Sequence, residues 1–271
     1  MTAESERHNA CRKRFRELHE RGLFVMPNPW DVGSAKLLAA LGFHALATTS
    51  SGLAAALGRH DQQVTPDELI EHVRALVEAV DIPVSVDTEN CFAETADGVA
   101  RTVEQIGATG AAGLSIEDYH PSRGLYHLDE AVRRVEAAAD AARDQDLVLT
   151  ARAENHLYGV DDLDDTIHRL HAYRQAGADV VYAPGLERRD AIGRVVSEVG
   201  GAVNVLLRRH GLAVGELTDL GVRRVSTGGS LAFAAYGAMT QAARELSDSG
   251  TSTYIDSVLS TADREAAFDS G

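Results

Sequence analysis

A chain of 271 residues, 44% of them hydrophobic, can fill the core of one (β/α) barrel or of two smaller domains. Its formal net charge of −15 argues against nucleic acid as a partner, since phosphate binding needs a basic surface. No apolar run approaches the ~20 residues of a membrane span. The charged opening stretch, Met1 to Leu18, is not a secretory signal, so a cytoplasmic protein with no membrane partner is expected. Two cysteines, Cys11 and Cys91, cannot form a zinc site by themselves, and a reducing compartment disfavours their disulfide.

The predicted elements alternate. A charged amphipathic helix from about Glu4 ends at Gly22, and the strand Leu23 to Pro27 comes next. Asn28 or Asp31 caps a helix over about Val32 to Leu41. Next come the strand Ala45 to Thr49 and a small-residue loop from Ser50 to Asp61. Thr65-Pro66-Asp67-Glu68 starts a helix to about Val80, and the strand from Pro83 ends at Asp87. A helix over Thr95 to Ile106 leads to a strand ending at Glu117, then a polar loop, then a helix from Asp129 to Arg143. The strand ending at Arg152 precedes a helix over Leu163 to Ala176 and the strand from Asp179. A short helix, Asp190 to Val199, precedes the strand holding Asn204. Another, Val214 to Leu220, precedes the strand Val222 to Ser226. The last strong helix runs from Ser230 to Leu246, before a polar tail with one further helix.

About eight β/α pairs in a row match a closed barrel. A helix-ending glycine with a strand after it recurs at Gly42, Gly110, Gly177 and Gly221, as expected where left-handed backbone turns into a strand. An open doubly wound sheet fits less well, because no glycine-rich phosphate fingerprint comes after the first strand. The chain is therefore read as an N-terminal helical extension (residues 1–22), one barrel (residues 23–247) and a polar C-terminal tail (residues 248–271).

In a barrel, functional groups gather at the C-terminal ends of the strands. Asp87 and Glu89, two residues apart on an extended backbone, would share one side and reach one hard cation directly or through its waters. The alternative is a helix start, where an acidic residue merely caps the next element. Other strand ends supply Ser50, Ser51 and Gly52, then Glu117 and Asp118, Arg152 and Glu154, Tyr182, and Asn204. Carboxylates around one arginine suggest a hydrated divalent cation holding a carboxylate-bearing ligand. Arg152 also suits a buried structural ion pair with Glu117 or Glu154, and Ser50 to Gly52 suits a plain turn. Asn204 also suits a backbone-satisfying role. Cys91 reads first as a small buried hydrophobe, and second as a catalytic acid. The histidines show no metal-ligand spacing.

The ordered signals Asn28-Pro29-Trp30-Asp31, Thr49-Ser50-Ser51-Gly52-Leu53, Leu57-Gly58 with Asp61, Pro83 to Asp87 with Glu89, Ile116-Glu117-Asp118, Ala151-Arg152 and Asn204 resemble the isocitrate lyase/phosphoenolpyruvate mutase superfamily. The resemblance runs from about Leu23 to Leu246 and rests on order and spacing together. It implies a (β/α)8 TIM barrel in a homotetramer or homodimer, with the last helix exchanged between neighbouring subunits. It implies Mg²⁺ or Mn²⁺ near Asp87, with Glu89 and Glu117 holding its waters and Asp61 in the same polar shell. Ser50, Ser51, Gly52 and Leu53 would bind the substrate through hydroxyl and backbone N–H groups. Arg152 would pair with the substrate anion, and Asn204 would close the far side. Catalytic roles fall to Arg152, Glu117 and Asp61. The implied chemistry cleaves a bond next to a 2-oxo acid, with the enolate charge spread by a cation and fixed donors.

Two departures narrow that expectation. The superfamily's lyases carry a cysteine-bearing Lys-Lys/Arg-Cys-Gly-His-type motif after the fourth strand, and its mutases and hydrolases a Lys and an Asn. Here Asp118 to Asp129 holds none of these, and His120, Arg123, Tyr126 or His127 is left to take over proton transfer or anion contact. Cys91-Phe92-Ala93 replaces the common Gly-Tyr-Gly after the acidic pair. The expected function is a divalent-metal-dependent lyase cleaving a C–C bond in a small 2-oxo or 2-hydroxy carboxylic acid. An oxaloacetate-type hydrolase or decarboxylase, or a C–P mutase or hydrolase, is the alternative within the superfamily. A catalytically silent ligand-binding homologue is the alternative outside the enzyme class.

Overall fold

The computed structural model describes residues 2–268; the first residue of the predicted extension and the last three of the predicted tail lie outside them. Helix α1 (Ala3–Leu18) precedes β1 (Phe24–Met26), α2 (Val32–Ala40), β2 (Leu46–Ala47), α3 (Ser50–Ala56), α4 (Pro66–Ala79) and β3 (Val84–Asp87). Then come α5 (Ala96–Gly107), β4 (Gly113–Glu117), a small hairpin of β5 (Tyr119–His120) and β6 (Gly124–Leu125), α6 (Leu128–Arg143) and β7 (Val148–Arg152). The last part holds α7 (Leu163–Gln175), β8 (Val180–Tyr182), α8 (Arg189–Val199), β9 (Ala202–Leu206), α9 (Val214–Asp219), β10 (Arg224–Ser226), α10 (Ser230–Ser249) and α11 (Thr261–Phe268).

Eight strands form one sheet in the order β1-β10-β9-β8-β7-β4-β3-β2, and every pairing is parallel. Setting the hairpin aside, that is chain order around a ring. The ring closes where Ala47 N–H donates to the Pro27 carbonyl at 3.1 Å and Asn28 Nδ2 donates to the Thr48 carbonyl at 2.8 Å. The architecture is the (β/α)8 barrel the alternation predicts. Its local signals act as read: Thr65 and Glu68 form a capping box, and Gly42, Gly110, Gly177 and Gly221 all take positive φ. Among the described residues, no helix is long and apolar enough to cross a membrane.

Two stretches differ from expectation. Ser50–Ala56 is a helix rather than a loop. Serine and glycine open it as weak helix formers, but Leu53 to Ala56 are strong ones. Thr49 Oγ1 accepts the Gly52 N–H at 3.3 Å, and Leu53 and Ala54 are buried in the core, so the cap and burial secure a first turn that propensity alone disfavours. Helix α1 ends at Leu18 rather than near Gly22, because the His19 ring bonds back to the Phe15 carbonyl at 2.8 Å.

Helix α1 covers the N-terminal end of the barrel. Arg12 donates to the carbonyls of Gly107 (2.6 Å) and Ala111 (3.1 Å), just before β4. Arg16 pairs with Asp179 at 2.9 Å, just before β8. Phe15 is wholly buried in a space that only a glycine leaves: a Cβ at Gly113 would stand 2.8 Å from its ring and 2.6 Å from the Val148 carbonyl.

Candidate active site

With the floor closed, the opposite end carries a cavity of about 250 Å³. Ser50, Asp87, Glu117, Arg152, Tyr182 and Asn204 all line it. They come from α3 and from β3, β4, β7, β8 and β9, so the barrel brings together residues up to 154 positions apart in sequence (50 to 204).

Arg152, the last residue of β7, organises the wall. Its Nη1 lies 3.0 Å from Asp87 Oδ1 and 2.8 Å from Glu117 Oε1, and its Nε lies 2.7 Å from Glu154 Oε1. Its guanidinium sits over the Tyr182 ring, 5.1 Å from the centroid. Burial alone would favour loss of its proton, but Glu117, Glu154 and Asp87 more than reverse this, so the cation is permanent. Asp87 is fixed from three more directions. Its Oδ2 accepts the Ser50 N–H at 3.0 Å, its Oδ1 accepts the Ser115 hydroxyl at 3.4 Å, and its own N–H donates to Thr48 Oγ1 at 2.8 Å.

Around Arg152 the carboxylates outnumber the cation. Glu89 is raised to about 8 by burial, then by Asp87 and Asp61. Burial also raises Glu117, against the pull of Arg152, and Glu154 adds to the rise. Asp61, at the cavity wall, is raised by burial and by Asp87. Glu89 and Asp87 do not share an extended backbone as expected. Strand β3 stops at Asp87, and Glu89 adopts φ 48° at the start of a tight turn whose Cys91 and Phe92 are also at positive φ. Such conformations are costly outside glycine, and the Cys91 N–H bond to the Thr88 carbonyl at 2.7 Å closes this one. Glu89 is absent from the cavity wall, and its Oε1 is buried without a hydrogen-bond partner. Among the described residues, no three His, Cys, Asp or Glu side chains form a direct metal cage.

Several predicted residues fall elsewhere. Ser51 lines the cavity beside Ser50, its hydroxyl 3.1 Å from that of Thr49. Gly52 spends its N–H on the Thr49 cap, and Leu53 is buried in the main core. Asp118 turns away from Arg152 and accepts from Arg169 (3.1 Å), Tyr173 (2.6 Å) and the Glu154 N–H (2.8 Å). Cys91 is fully buried in the core, and burial pushes its thiol up to about 11. His120, Arg123, Tyr126 and His127 are all absent from the cavity wall.

Among the wall residues that sequence reasoning missed, two carry ionisable side chains, Arg224 and Tyr158. Arg224, the first residue of β10, points into the barrel. Its Nε donates to Asn204 Oδ1 (3.0 Å), its Nη2 to Thr150 Oγ1 (2.9 Å), and its Nη1 meets His19 Nε2 (3.2 Å). It thereby turns the Asn204 amide so that Nδ2 donates to Ser226 Oγ at 3.0 Å. An arginine alternating inward within Val222 to Ser226 was the available signal. Tyr158, in the β7–α7 connection, also lines the cavity, and its segment carries no motif that marks it.

Comparison with known proteins gives the site a context. Residues 15–247 match the family model for phosphoenolpyruvate phosphomutase. An uncharacterised protein of Mycobacterium tuberculosis H37Rv is 34% identical over 86% of this chain and 89% of its own. An oxaloacetate decarboxylase of Paraburkholderia xenovorans is 34% identical over 69% of this chain and 66% of its own length. A 2-methylisocitrate lyase of Escherichia coli is also 34% identical, over 56% of this chain and 54% of its own. Among solved structures, a candidate lyase/mutase of Burkholderia cenocepacia J2315 superposes with a TM-score of 0.93 at 46% identity, covering 96% of each chain. Oxaloacetate acetylhydrolase superposes with a TM-score of 0.84 at 26% identity, covering 95% of this chain and 94% of its own. The chain belongs to the phosphoenolpyruvate phosphomutase family, within the isocitrate lyase/phosphoenolpyruvate mutase superfamily of lyases and mutases.

Proposed function

We propose that this protein is a divalent-metal-dependent lyase that cleaves a C–C bond in a small 2-oxo or 2-hydroxy carboxylic acid. The observation that carries this reading is Arg152 clamped by Asp87, Glu117 and Glu154 at the wall of an acidic cavity. The cavity is smaller than the ~300–1,000 Å³ typical of sites for drug-sized ligands, which suits a small acid. The donor set fits Mg²⁺ or Mn²⁺ held by Asp87, with Glu89, Glu117 and Asp61 on its waters. Such an ion would answer the unpartnered Glu89 Oε1 and the burial, then mutual repulsion, that raise these carboxylates. When bound, it would stabilise the enolate charge left by C–C cleavage. Arg152 pairs with the substrate carboxylate, the Ser50 and Ser51 hydroxyls donate to it, and Asn204 holds the far wall. The exposed apolar residues Phe233, Met239 and Leu246 of α10 and Ile255, Val258 and Leu259 beyond it suit a homotetramer or homodimer that exchanges this helix.

Oxaloacetate decarboxylation or hydrolysis is the second reading, favoured by the decarboxylase relative and by the loop without cysteine or lysine. A panel of 2-oxo and 2-hydroxy diacids with Mg²⁺, monitored for pyruvate, oxalate and CO₂, separates the two. Asp87→Ala should lower turnover by at least about 10²-fold while leaving the chain folded, as read by circular dichroism. Full activity in that variant would overturn the assignment.

A further inference from the structure

Cleavage next to a 2-oxo acid ends with a proton delivered to carbon, and the expected donors do not reach the cavity. His120 and Arg123 face Glu94 at 3.1 and 2.9 Å. Tyr126 is buried, its hydroxyl 3.1 Å from Asn90 Nδ2. Cys91 is buried in the core.

The cavity wall carries another phenol. Tyr158 lies six residues after Arg152, on the connection from β7 to α7, and lines the cavity. Its ring stacks on Tyr119 of the hairpin, centroids 3.4 Å apart and planes 6° from parallel. Its N–H bonds the Glu154 carbonyl at 3.2 Å, and the Val160 N–H bonds the Asn155 carbonyl at 2.8 Å. Two connections, one after β4 and one after β7, therefore fix the plane of this ring. At 39% exposure the residue also touches solvent. Burial, then Glu117, Glu154 and Asp61, raise its pKa, so it holds its proton at neutral pH.

We propose that Tyr158 is the catalytic acid of this site, its phenol protonating the enolate carbon after C–C cleavage. The inference rests on the C–C-cleavage reading above, whether the substrate is a lyase's or a decarboxylase's. With oxaloacetate the atoms balance without another group. The C–C bond breaks, CO₂ leaves and the electron pair enters the enolate. The enolate carbon then takes the phenolic proton as the O–H bond breaks, and the phenolate regains a proton from water at the open mouth.

Tyr158→Phe keeps the ring and the stack and removes only the hydroxyl. Its kcat on the best acid of the panel should fall by roughly 10²–10⁴-fold, while KM moves by less than about threefold. Exchange of pyruvate methyl protons into D₂O, with Mg²⁺ and read by NMR, should fall by a similar factor. Oxalate affinity and melting temperature should stay at wild-type values, and Tyr158→His, which restores a proton donor, should recover part of the loss. Wild-type turnover with Tyr158→Phe within about threefold of it overturns this inference alone. A wild type that neither cleaves any acid of the panel nor exchanges pyruvate protons overturns the lyase reading and this inference together.

Discussion

Two arginines are buried inside this barrel, and their surroundings are opposite. Arg152, at the mouth, has three carboxylates within 3.0 Å. Arg224 has only the neutral acceptors Asn204, Thr150 and His19, and burial lowers it to about 9. The mouth concentrates unlike charges, with one carboxylate oxygen of Glu89 left unpartnered; the interior below it satisfies its single charge with dipoles. Charge crowding with unfilled hydrogen-bonding capacity marks a place built to receive a ligand. A cation spread over neutral partners marks a scaffold that holds Asn204 in one orientation.

That contrast predicts unequal costs. Arg152→Met leaves Asp87, Glu117 and Glu154 facing one another without a cation. In metal-free protein at pH 8 it should destabilise by about 3–5 kcal/mol, and by less at pH 5, where carboxylates with raised pKa values take up protons. Arg224→Met removes a buried charge along with its hydrogen bonds, so desolvation relief offsets unpaired acceptors. It should stay within about 2 kcal/mol of wild type. Urea unfolding curves measure both, and equal losses would erase the distinction between mouth and interior.

How far each region was legible depends on where its signals lie. The barrel shows in helix-ending glycines and capping boxes, which are local and carry their meaning within a few residues. Asp87, Glu117 and Arg152 stand at predicted strand ends, so the fold alone gathers them. Glu89 kept its place near the site but not its geometry, because a turn of non-glycine residues at positive φ leaves no composition signal. Helix α3 was hidden by its weak first turn, Ser50 to Gly52, whose conformation is decided by a cap. Arg224 and Tyr158 depend on a partner far away in sequence, His19 for one and Tyr119 for the other, and no spacing rule reports such a pair.

The interior can be tested through His19. Its Nδ1–H donates to the Phe15 carbonyl, leaving Nε2 to accept from Arg224. Burial, then the Arg224 charge, lowers its pKa from 6.5 to about 3. Between those values the unfolded chain binds the proton and the folded one does not, so this residue's contribution to stability falls as pH drops. The unfolding free energy of wild type, from urea curves, should therefore fall more steeply from pH 6.5 to 5 than that of His19→Gln, by on the order of 1 kcal/mol. Parallel curves would mean that His19 can charge in place.

Cys91 gives the smallest effect and the sharpest boundary between mouth and core. It lies two residues beyond Glu89, yet its side chain is wholly buried and its thiol is 3.4 Å from the Thr88 hydroxyl. Burial raises this thiol to about 11, and a group sealed in the core cannot touch a substrate in the cavity. Cys91→Ala should cost about 1 kcal/mol, the transfer energy of one small buried group, and leave kcat and KM unchanged. Loss of turnover with intact folding would extend the active site across that boundary, making the strained turn from Glu89 to Phe92 part of the chemistry rather than its support.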